Sequence, residues 1–499
     1  MSNNTWDVIV IGGGPGGSST ATLTAMAGHK VLLLEKDFFP RYHIGESLLP
    51  ATIHGVCSIL GVRDEIENAG FVKKNGGTLR WGARKDLWTF WFKEASLFPD
   101  RPPYAFQVER SKFDDILLRN AAKKGVDVRQ GYRVNKVLFA GDRAVGVQAT
   151  TPDGQEFEAH ARFIVDASGL QGLLANKIGE RKYDEFFKNL ALFGYYKNAK
   201  RLPDENKRGN IISAAFDAGW FWFIPLSDEL TSVGVVVPVE QGEAIQKQGM
   251  EASLNSYIEQ CPIIRDMLEP AEQVTEGEYG KLRVLKDFSY LNTRFWAPGA
   301  VLVGDSACFI DPVFSSGVHL ATYAGILAAR SINTTLRGDV DEERCFAEFE
   351  LRYRREYGVF YEFLLGFYEM HQDEESYFWQ ARKILSVESS AKEAFVRLVA
   401  GLSSSGEPLF QGASEFIESA KSQSKRLQEL SHAVAGESKL STEMQQDVQN
   451  WGNIFFRERV QMWKVSRNSQ TDSDSTASEA PIFEEGLVAS EDGLHWLAP

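Results

Sequence analysis

The chain contains 499 residues, of which 24% are charged and 43% are hydrophobic. This composition excludes a disordered, collagen-like or small disulfide-stabilised protein, and the length predicts about two to three domains. The excess of 68 acidic over 54 basic residues gives a net charge of −14, which argues against a main role in binding nucleic-acid phosphates. We therefore expect no nucleic-acid partner.

The sequence contains neither an obvious membrane span nor an export signal. Its longest aliphatic stretches are strand-sized, well short of the roughly 18 to 20 apolar residues that cross a bilayer. The chain enters a strand at Trp6 without a basic or apolar targeting segment before it. The four cysteines stand far apart, without the spacing of a metal site. We expect a cytoplasmic protein with reduced thiols, no membrane partner and no metal.

The first element of the chain is a dinucleotide-binding fingerprint. Residues 6–11 form a strand-length apolar run, and Gly12, Gly14 and Gly17 follow it in the spacing GxGxxG at the start of a helical segment. A second apolar strand ends at Glu35, which can accept a hydrogen bond from a ribose hydroxyl. The glycines suit a tight turn, a pyrophosphate at a helix N-terminus and close packing of helix on strand. A glycine-rich turn without a ligand is the alternative.

Strands and helices alternate through to about residue 330, and this pattern predicts an α/β fold. Aromatic and alternating strands dominate residues 70–110 and 186–290, which indicates a mixed or antiparallel sheet interleaved with the first one. Residues 135–169 read as three strands joined by Gly-Asp and Asp-Gly turns. The two sheets therefore belong to discontinuous segments of the chain.

Residues 300–321 contain a second group of candidate binding residues. A strand there ends at Asp305, whose carboxylate can accept hydrogen bonds from the ribityl hydroxyls of an extended flavin. Gly317 opens a helix whose N–H groups can face the flavin ring, and we assign the neighbouring Pro312 and Val318 to the same site. Because the chain shows only one dinucleotide fingerprint, this group favours FAD over NAD. A helix cap at Asp305 and a simple turn at Pro312 are the alternatives.

Two arginines are further candidates for the cofactor site. Arg41 and Arg110 can contact the adenosine or pyrophosphate end of FAD. Each can equally be the partner of a surface carboxylate, and the sequence leaves both interpretations open.

Together with VDASG (165–169), these elements resemble the FAD-dependent aromatic monooxygenase and halogenase superfamily. Residues 220–225, WFWFIP, match the WxWxIP motif of the flavin-dependent halogenases. The resemblance implies that Trp220, Trp222 and Pro225 line a tunnel between flavin and substrate. An aromatic strand in a hydrophobic core is the alternative interpretation.

The resemblance implies an α/β fold with an FAD-binding Rossmann-like domain of the glutathione reductase or aromatic monooxygenase type. An interleaved mixed β-sheet substrate domain and a helical C-terminal region complete this expectation. We expect residues 1–330 to form the FAD-binding module with its discontinuous substrate sheet. Residues 331–465 should form the helical region, and residues 466–499 a flexible linker and an aromatic tail that docks elsewhere.

The resemblance also implies a reaction. Reduced FAD and O2 would form a C4a-hydroperoxide, and chloride or bromide held at Ser316 and Gly317 would attack it to give hypohalous acid. The family places the delivering lysine in a K-x-G segment, which here selects Lys74 over Lys73 because Gly76 follows Lys74 at this spacing. Since no second dinucleotide fingerprint is visible, FADH2 would come from a separate flavin reductase.

One departure from the family pattern bears on the substrate. The tryptophan halogenases have a glutamate two residues before the halide-binding hydroxyl residue, and this chain has Phe314 there. This indicates the branch that resembles the chondramide halogenase and its peptide-pathway relatives, which act on phenols. The expected substrate is an aromatic ring of this class, a tyrosyl group carried on a peptidyl carrier protein.

Two other functions stay open on the sequence alone. A flavin monooxygenase or a prenyl reductase has the same fold and shares the glycine fingerprint, the GES segment (45–47) and Asp305. A catalytically silent flavin-binding interaction protein is a rival of another class. Neither rival requires the WxWxIP motif together with Lys74.

Overall fold

The computed structural model describes residues 5–80, 87–94, 103–184, 186–286, 289–369 and 486–498. Its α-helices are α1 (Pro15–Met26), α2 (Arg63–Glu67), α3 (Arg110–Lys123), α4 (Ala175–Ile178), α5 (Gly242–Gln248), α6 (Met250–Gln260), α7 (Pro262–Leu268), α8 (Ser316–Arg337) and α9 (Glu342–Glu369). Its strands are β1 (Thr5–Ile11), β2 (Val31–Glu35), β3 (Val72–Lys74), β4 (Gly76–Arg80), β5 (Trp88–Trp91), β6 (Ala105–Gln107), β7 (Asp127–Gln130), β8 (Arg133–Ala140), β9 (Arg143–Thr150), β10 (Glu156–Asp166), β11 (Arg181–Tyr183), β12 (Asn189–Lys197), β13 (Ile211–Phe216), β14 (Gly219–Pro225), β15 (Leu230–Pro238), β16 (Glu272–Gln273), β17 (Arg283–Lys286), β18 (Tyr290–Asn292), β19 (Trp296–Ala297), β20 (Ala300–Leu302), β21 (Cys308–Phe309), β22 (Val488–Ala489) and β23 (Trp496–Leu497).

The first sheet has the order β19-β20-β10-β1-β2-β7, and β8 and β9 extend it through β10. Strands β20, β10, β1, β2 and β7 run parallel to one another. The apolar run of β1 is buried along nearly its whole length because strands flank it on both edges and helices cover it. Helix α1 connects β1 to β2, so the carboxyl ends of the strands and the start of α1 meet at one edge of the sheet.

The second sheet has the order β16-β12-β15-β14-β13-β4-β5, with β17 paired to β12. It is antiparallel except for the parallel pair of β13 and β4. Strand β14 alternates strictly: Trp220 and Trp222 join the main core, whereas Phe221 and Phe223 join a second core that includes α6 and α7. The WFWFIP segment therefore divides two cores and turns its indoles toward the first sheet.

Helices occupy part of a segment for which the sequence pattern predicts mainly strands. Residues 242–268 form α5, α6 and α7, and α6 buries Ser253, Leu254, Tyr257 and Ile258 on one face. This spacing of three and four residues is that of an amphipathic helix. These helices cover one face of the second sheet, and the residues between helices and sheet form the second core.

Helix α8 packs against α1 at unusually short range. A Cβ atom at Gly16 would lie 3.0 Å from the carbonyl oxygen of Ala321, and one at Gly325 would lie 2.9 Å from the carbonyl oxygen of Gly16. The backbones of the two helices are thus in direct contact. Helix α8 has 22 residues and is about 33 Å long. Helix α9 also packs against α8.

The described part of the tail, residues 486–498, docks on α8 and α9. The Trp496 indole Nε1 donates a hydrogen bond to Oγ of Ser331 (2.9 Å), and the guanidinium groups of Arg330 and Arg352 lie over its ring. These contacts are on the C-terminal half of α8. The expected flexible linker and most of the helical region 331–465 lie outside the described residues, so the division into three regions stays a prediction.

Within the described ranges, no helix has the length and apolarity needed to cross a bilayer. In the same ranges, no cluster of three or more His, Cys, Asp or Glu side chains is arranged to hold a metal ion. The four cysteines are buried, and none of them forms a disulfide.

Candidate active site

A cavity of about 480 Å³ lies at the carboxyl ends of β1, β2 and β10, the edge at which parallel α/β sheets bind their ligands. It reaches from the start of α1 to the start of α8 and to the face of β14. Most of the residues predicted from the sequence line it, namely Gly12, Gly14, Glu35, Arg41, Arg110, Trp220, Trp222, Asp305, Pro312, Gly317 and Val318.

At the turn between β1 and α1, Gly12 and Gly17 are packed against backbone and have no room for a side chain, whereas Gly14 faces open space. Gly12 has a φ of +102°, and a Cβ there would lie 2.4 Å from the carbonyl oxygen of Ala167. A Cβ at Gly17 would lie 2.0 Å from the carbonyl oxygen of Gly12. Gly14 precedes α1, and a Cβ there would meet only Nη2 of Arg41, at 3.7 Å. The helix N-terminus is therefore open to an anionic group such as a pyrophosphate.

Glu35 closes this end of the cavity at the end of β2. Its buried carboxylate accepts hydrogen bonds from the backbone N–H of Gly13 (2.7 Å) and of Asp37 (2.8 Å). A carboxylate has about four acceptor positions, so these two bonds leave capacity for a ribose hydroxyl. The two backbone donors fix the orientation of Glu35 toward the turn.

Arg41 and Arg110 share one buried carboxylate. Arg110 donates to Asp114 through Nε (2.7 Å) and Nη2 (2.9 Å), and Arg41 donates to the same group through Nη1 (3.0 Å). Arg110 also donates to the carbonyl oxygen of Ile44 (2.6 Å). Burial raises the pKa of Asp114, but the Arg110 and Arg41 guanidiniums outweigh burial and hold it below its usual value. The triad keeps one net positive charge at the cavity wall, which favours a phosphate nearby.

Asp305 and the start of α8 line the other end of the cavity. Burial raises the pKa of Asp305 to about 6, against the opposing effect of the Arg110 and Arg181 guanidiniums. Ser315 adopts a left-handed conformation with a φ of +59° immediately before α8, and it lines the cavity together with Gly317. Ser316 is buried and is not among the lining residues. Of the two residues predicted to hold the halide, Gly317 therefore lines the cavity and Ser316 does not.

These features fit an extended dinucleotide such as FAD. Cβ atoms at Gly12 and Gly17 would collide with backbone carbonyl oxygens, whereas the space at Gly14 is open. Two helix N-termini face one cavity, and carboxylates stand at both ends. The residues predicted to bind the pyrophosphate and ribose lie at one end of the cavity, and those predicted to bind the flavin lie at the other.

Lys74 is a buried amine at the end of β3, close to this cavity. Its Nζ donates hydrogen bonds to Oγ of Ser47 (2.9 Å) and to the carbonyl oxygen of Leu48 (3.0 Å), and the Phe92 ring lies 5.5 Å away. Burial alone lowers the pKa of Lys74 to about 7. Ser47 lines the cavity, so it connects the amine to the cavity wall. Lys73, by contrast, is exposed and lies over the Tyr104 ring.

The indoles of β14 form part of the cavity wall. Trp222 donates through Nε1 to Oγ of Ser232 (3.2 Å), and Trp220 donates through Nε1 to the hydroxyl of Tyr368 (2.6 Å). Pro225 is buried at the end of β14 and is not among the lining residues. Both indoles therefore have fixed orientations at the cavity, whereas the structure does not place Pro225 in its wall.

Sequence reasoning missed a buried carboxyl group in the cavity wall. Glu46 accepts a hydrogen bond from the Tyr195 hydroxyl (2.8 Å), which in turn lies 2.7 Å from the Tyr42 hydroxyl. Burial raises the pKa of Glu46 to about 7, although hydrogen bonds from Ser232 and Tyr195 oppose the shift. The GES segment was the available signal, but the sequence does not show that Tyr195 meets it.

Comparison with known proteins agrees with this geometry. The chain matches the family model described as tryptophan halogenase over residues 7–98 and 98–435. The tryptophan 2-halogenase of Chondromyces crocatus is 35% identical over 411 residues, which cover 80% of this chain and 76% of that protein. The myxobacterial chondrochloren halogenase CndH has a TM-score of 0.74 and 51% identity, and the match covers 99% of this chain and 100% of CndH.

A further solved structure extends the likeness. The flavin-dependent halogenase CmlS has a TM-score of 0.68 and 31% identity, with 84% of this chain and 77% of CmlS covered. The similarity to CndH confirms the predicted resemblance to the chondramide-like branch, and the monooxygenase, prenyl reductase and non-catalytic interpretations are set aside. Flavin-dependent halogenases use FAD, halide and O2, and they need a separate flavin reductase and an aromatic substrate. The chain belongs to this family and is an FAD-dependent halogenase.

Proposed function

We propose that this halogenase chlorinates a phenolic ring, with a tyrosyl group on a carrier protein of peptide or polyketide biosynthesis as its substrate. The observation that carries the proposal is the buried amine of Lys74, held by Ser47 beside the cavity. A phenol is activated by its own hydroxyl group, so it needs no strongly positioned base. Phe314, buried where tryptophan halogenases have a glutamate, supports the phenolic branch.

The cofactor supplies the oxidising chemistry. When bound, reduced FAD would supply, with O2, the oxidation of halide to hypohalous acid: FADH2 + O2 + X⁻ + H⁺ giving FAD + H2O + HOX. Substitution then follows as ArH + HOX giving ArX + H2O. The protein must hold the cofactor, exclude water and carry the hypohalous acid to the ring.

Lys74 is suited to the last of these tasks. Because burial brings its pKa near 7, about half of the amine is neutral at that pH. A neutral amine can react with hypohalous acid, R–NH2 + HOX giving R–NHX + H2O, and pass the halogen to the ring while regaining a proton from it. The protonated amine can instead donate a hydrogen bond to hypohalous acid. Trp220 and Trp222 would exclude water from the path.

Tryptophan is the second candidate substrate. The relative from Chondromyces crocatus is named a tryptophan 2-halogenase. In addition, Glu46 provides a buried carboxyl group in the cavity wall of this chain, on a different element from Phe314. An indole, which has no ionisable hydroxyl, benefits more from such a group than a phenol does.

The test is a halogenation assay with the full chain, FAD, a flavin reductase, NADH, O2 and either chloride or bromide. Its arms are a tyrosyl-loaded carrier protein, free tyrosine, a simple phenol and free tryptophan, each analysed by mass spectrometry for the halogen isotope pattern. We expect chlorinated tyrosyl carrier protein. Efficient chlorination of free tryptophan, with all phenolic arms left untouched, would contradict the proposed substrate.

A further inference from the structure

Tyr368 on α9 is hydrogen-bonded to two separate parts of the cavity wall. Its hydroxyl accepts a hydrogen bond from Nε1 of Trp220 (2.6 Å) and donates one to Oδ2 of Asp311 (2.9 Å). Trp220 lies on β14, and Asp311 directly precedes Pro312; both Trp220 and Pro312 line the cavity. One hydroxyl group thus joins the second sheet to the loop before α8.

The direction of these two bonds is fixed by chemistry. An indole N–H can only donate, so the Tyr368 oxygen must accept from Trp220 and direct its own proton to Asp311. Asp311 is buried, and its other oxygen accepts from the backbone N–H of Val313 (2.9 Å). Burial raises the pKa of Asp311 to about 6, which leaves it ionised, and an acceptor, at neutral pH.

The Tyr368 ring is held independently of its hydroxyl. Phe187 packs edge-on against it with ring centroids 5.4 Å apart, and Phe186 does so at 6.1 Å. Removing the hydroxyl would therefore leave the ring packed in place while releasing the hydrogen bonds to Trp220 and Asp311. Trp220, however, would lose the acceptor that sets the orientation of its indole.

We propose that Tyr368 is a positioning residue for Trp220. It holds the indole in the cavity wall so that hypohalous acid is retained and reaches Lys74 instead of leaking into the solvent. This inference rests on the proposed function. Its measurable consequence is the efficiency with which each FADH2 oxidised yields halogenated product.

The experiment compares Tyr368→Phe with Tyr361→Phe in the full chain. Tyr361 is a matched control because it lies on the same helix, packs against the same Phe187 and donates to another buried carboxylate, Asp184 (2.7 Å). Product is measured by mass spectrometry, and released hypohalous acid is trapped with monochlorodimedone. Loss of the hydrogen bond that orients the Trp220 indole predicts at least about a threefold rise in trapped acid per FADH2 for Tyr368→Phe, with FAD affinity unchanged. Tyr361→Phe should match the parent chain.

A double-mutant comparison tests whether Tyr368 acts through Trp220. In a Trp220→Phe background, Tyr368→Phe should cause no additional leakage, because the donor of the hydrogen bond is already gone. Equal leakage from Tyr368→Phe and Tyr361→Phe, or an undiminished effect in the Trp220→Phe background, would overturn the positioning role. A parent chain that forms neither product nor hypohalous acid with either halide would instead overturn the proposed function, and this inference with it.

Discussion

The burial of Lys74 should be visible in the pH dependence of stability. Its pKa falls from an ordinary value of 10.5 to about 7 in the folded chain. Between these two values the unfolded chain binds more protons than the folded chain, so stability rises with pH through this window. Linkage gives a destabilisation by Lys74 of about 4 kcal/mol at pH 7 and about 1 kcal/mol at pH 9.5, a difference of about 3 kcal/mol.

Lys74→Met removes the titrating group and keeps most of the side-chain volume. Ser47 and the carbonyl of Leu48 lose a donor, which costs about 1 to 3 kcal/mol each but does not depend on pH. We compare the free energy of unfolding of the variant with that of the parent chain. The variant's value minus the parent's should be about 3 kcal/mol larger at pH 7 than at pH 9.5, because the variant lacks the pH-dependent destabilisation.

Urea-induced unfolding, followed by tryptophan fluorescence with the same FAD concentration in every sample, measures this difference. Lys73→Met is the matched control, because it removes an exposed ammonium group from the same strand, and it should follow the parent chain at both pH values. A Lys74→Met difference that is the same at pH 7 and pH 9.5 would refute the reasoning, since it would mean that the amine stays solvated.

Three further predictions concern activity and cofactor binding. Lys74→Ala should keep FAD binding and lose halogenated product, whereas Lys73→Ala should keep both; the reverse result would reassign the delivering lysine. NADH added without a flavin reductase should not be oxidised at an appreciable rate, because the chain has one dinucleotide fingerprint, and rapid oxidation would contradict this. Gly17→Ala should weaken FAD binding at least about tenfold in a flavin absorbance titration, because its Cβ would lie 2.0 Å from the Gly12 carbonyl oxygen. Gly55→Ala, which meets nothing within 4 Å, should bind FAD normally, and equal loss in both would contradict the steric argument.

The parts of the site that the sequence predicted are those with a local signal. The fingerprint from Gly12 to Glu35 is one strand, turn, helix and strand, and its geometry depends on neighbours in the chain. The WFWFIP segment likewise resembles a short motif, and this resemblance implied that Trp220 and Trp222 line the tunnel. Such patterns express the periodicity of a single element, which is readable without knowing what the element packs against.

The parts that the sequence did not predict depend on contacts between distant segments. Asp114 lies between Arg41 and Arg110 only after α3 docks beside the loop that follows β2, and Tyr195 meets Glu46 across 149 positions. The left-handed conformation of Ser315 is also invisible in the residue type, because serine rarely adopts it. The sequence names the chemical groups, and the long-range packing decides which of them meet.

The direct contact between α1 and α8 fixes the distance between two helix N-termini, and this distance bears on the length of cofactor that the site favours. Each helix presents its N-terminus to the same cavity, and the backbone contacts at Gly16 and Gly325 leave no side chain that could adjust the distance between the two ends. A flavin cofactor would be stabilised by both helix N-termini only if it were long enough to reach from one to the other. FMN lacks the adenylate half, so it would contact only one of the two helix N-termini. We therefore expect the fixed separation of the two helices to favour FAD over FMN without recognition of the adenine itself.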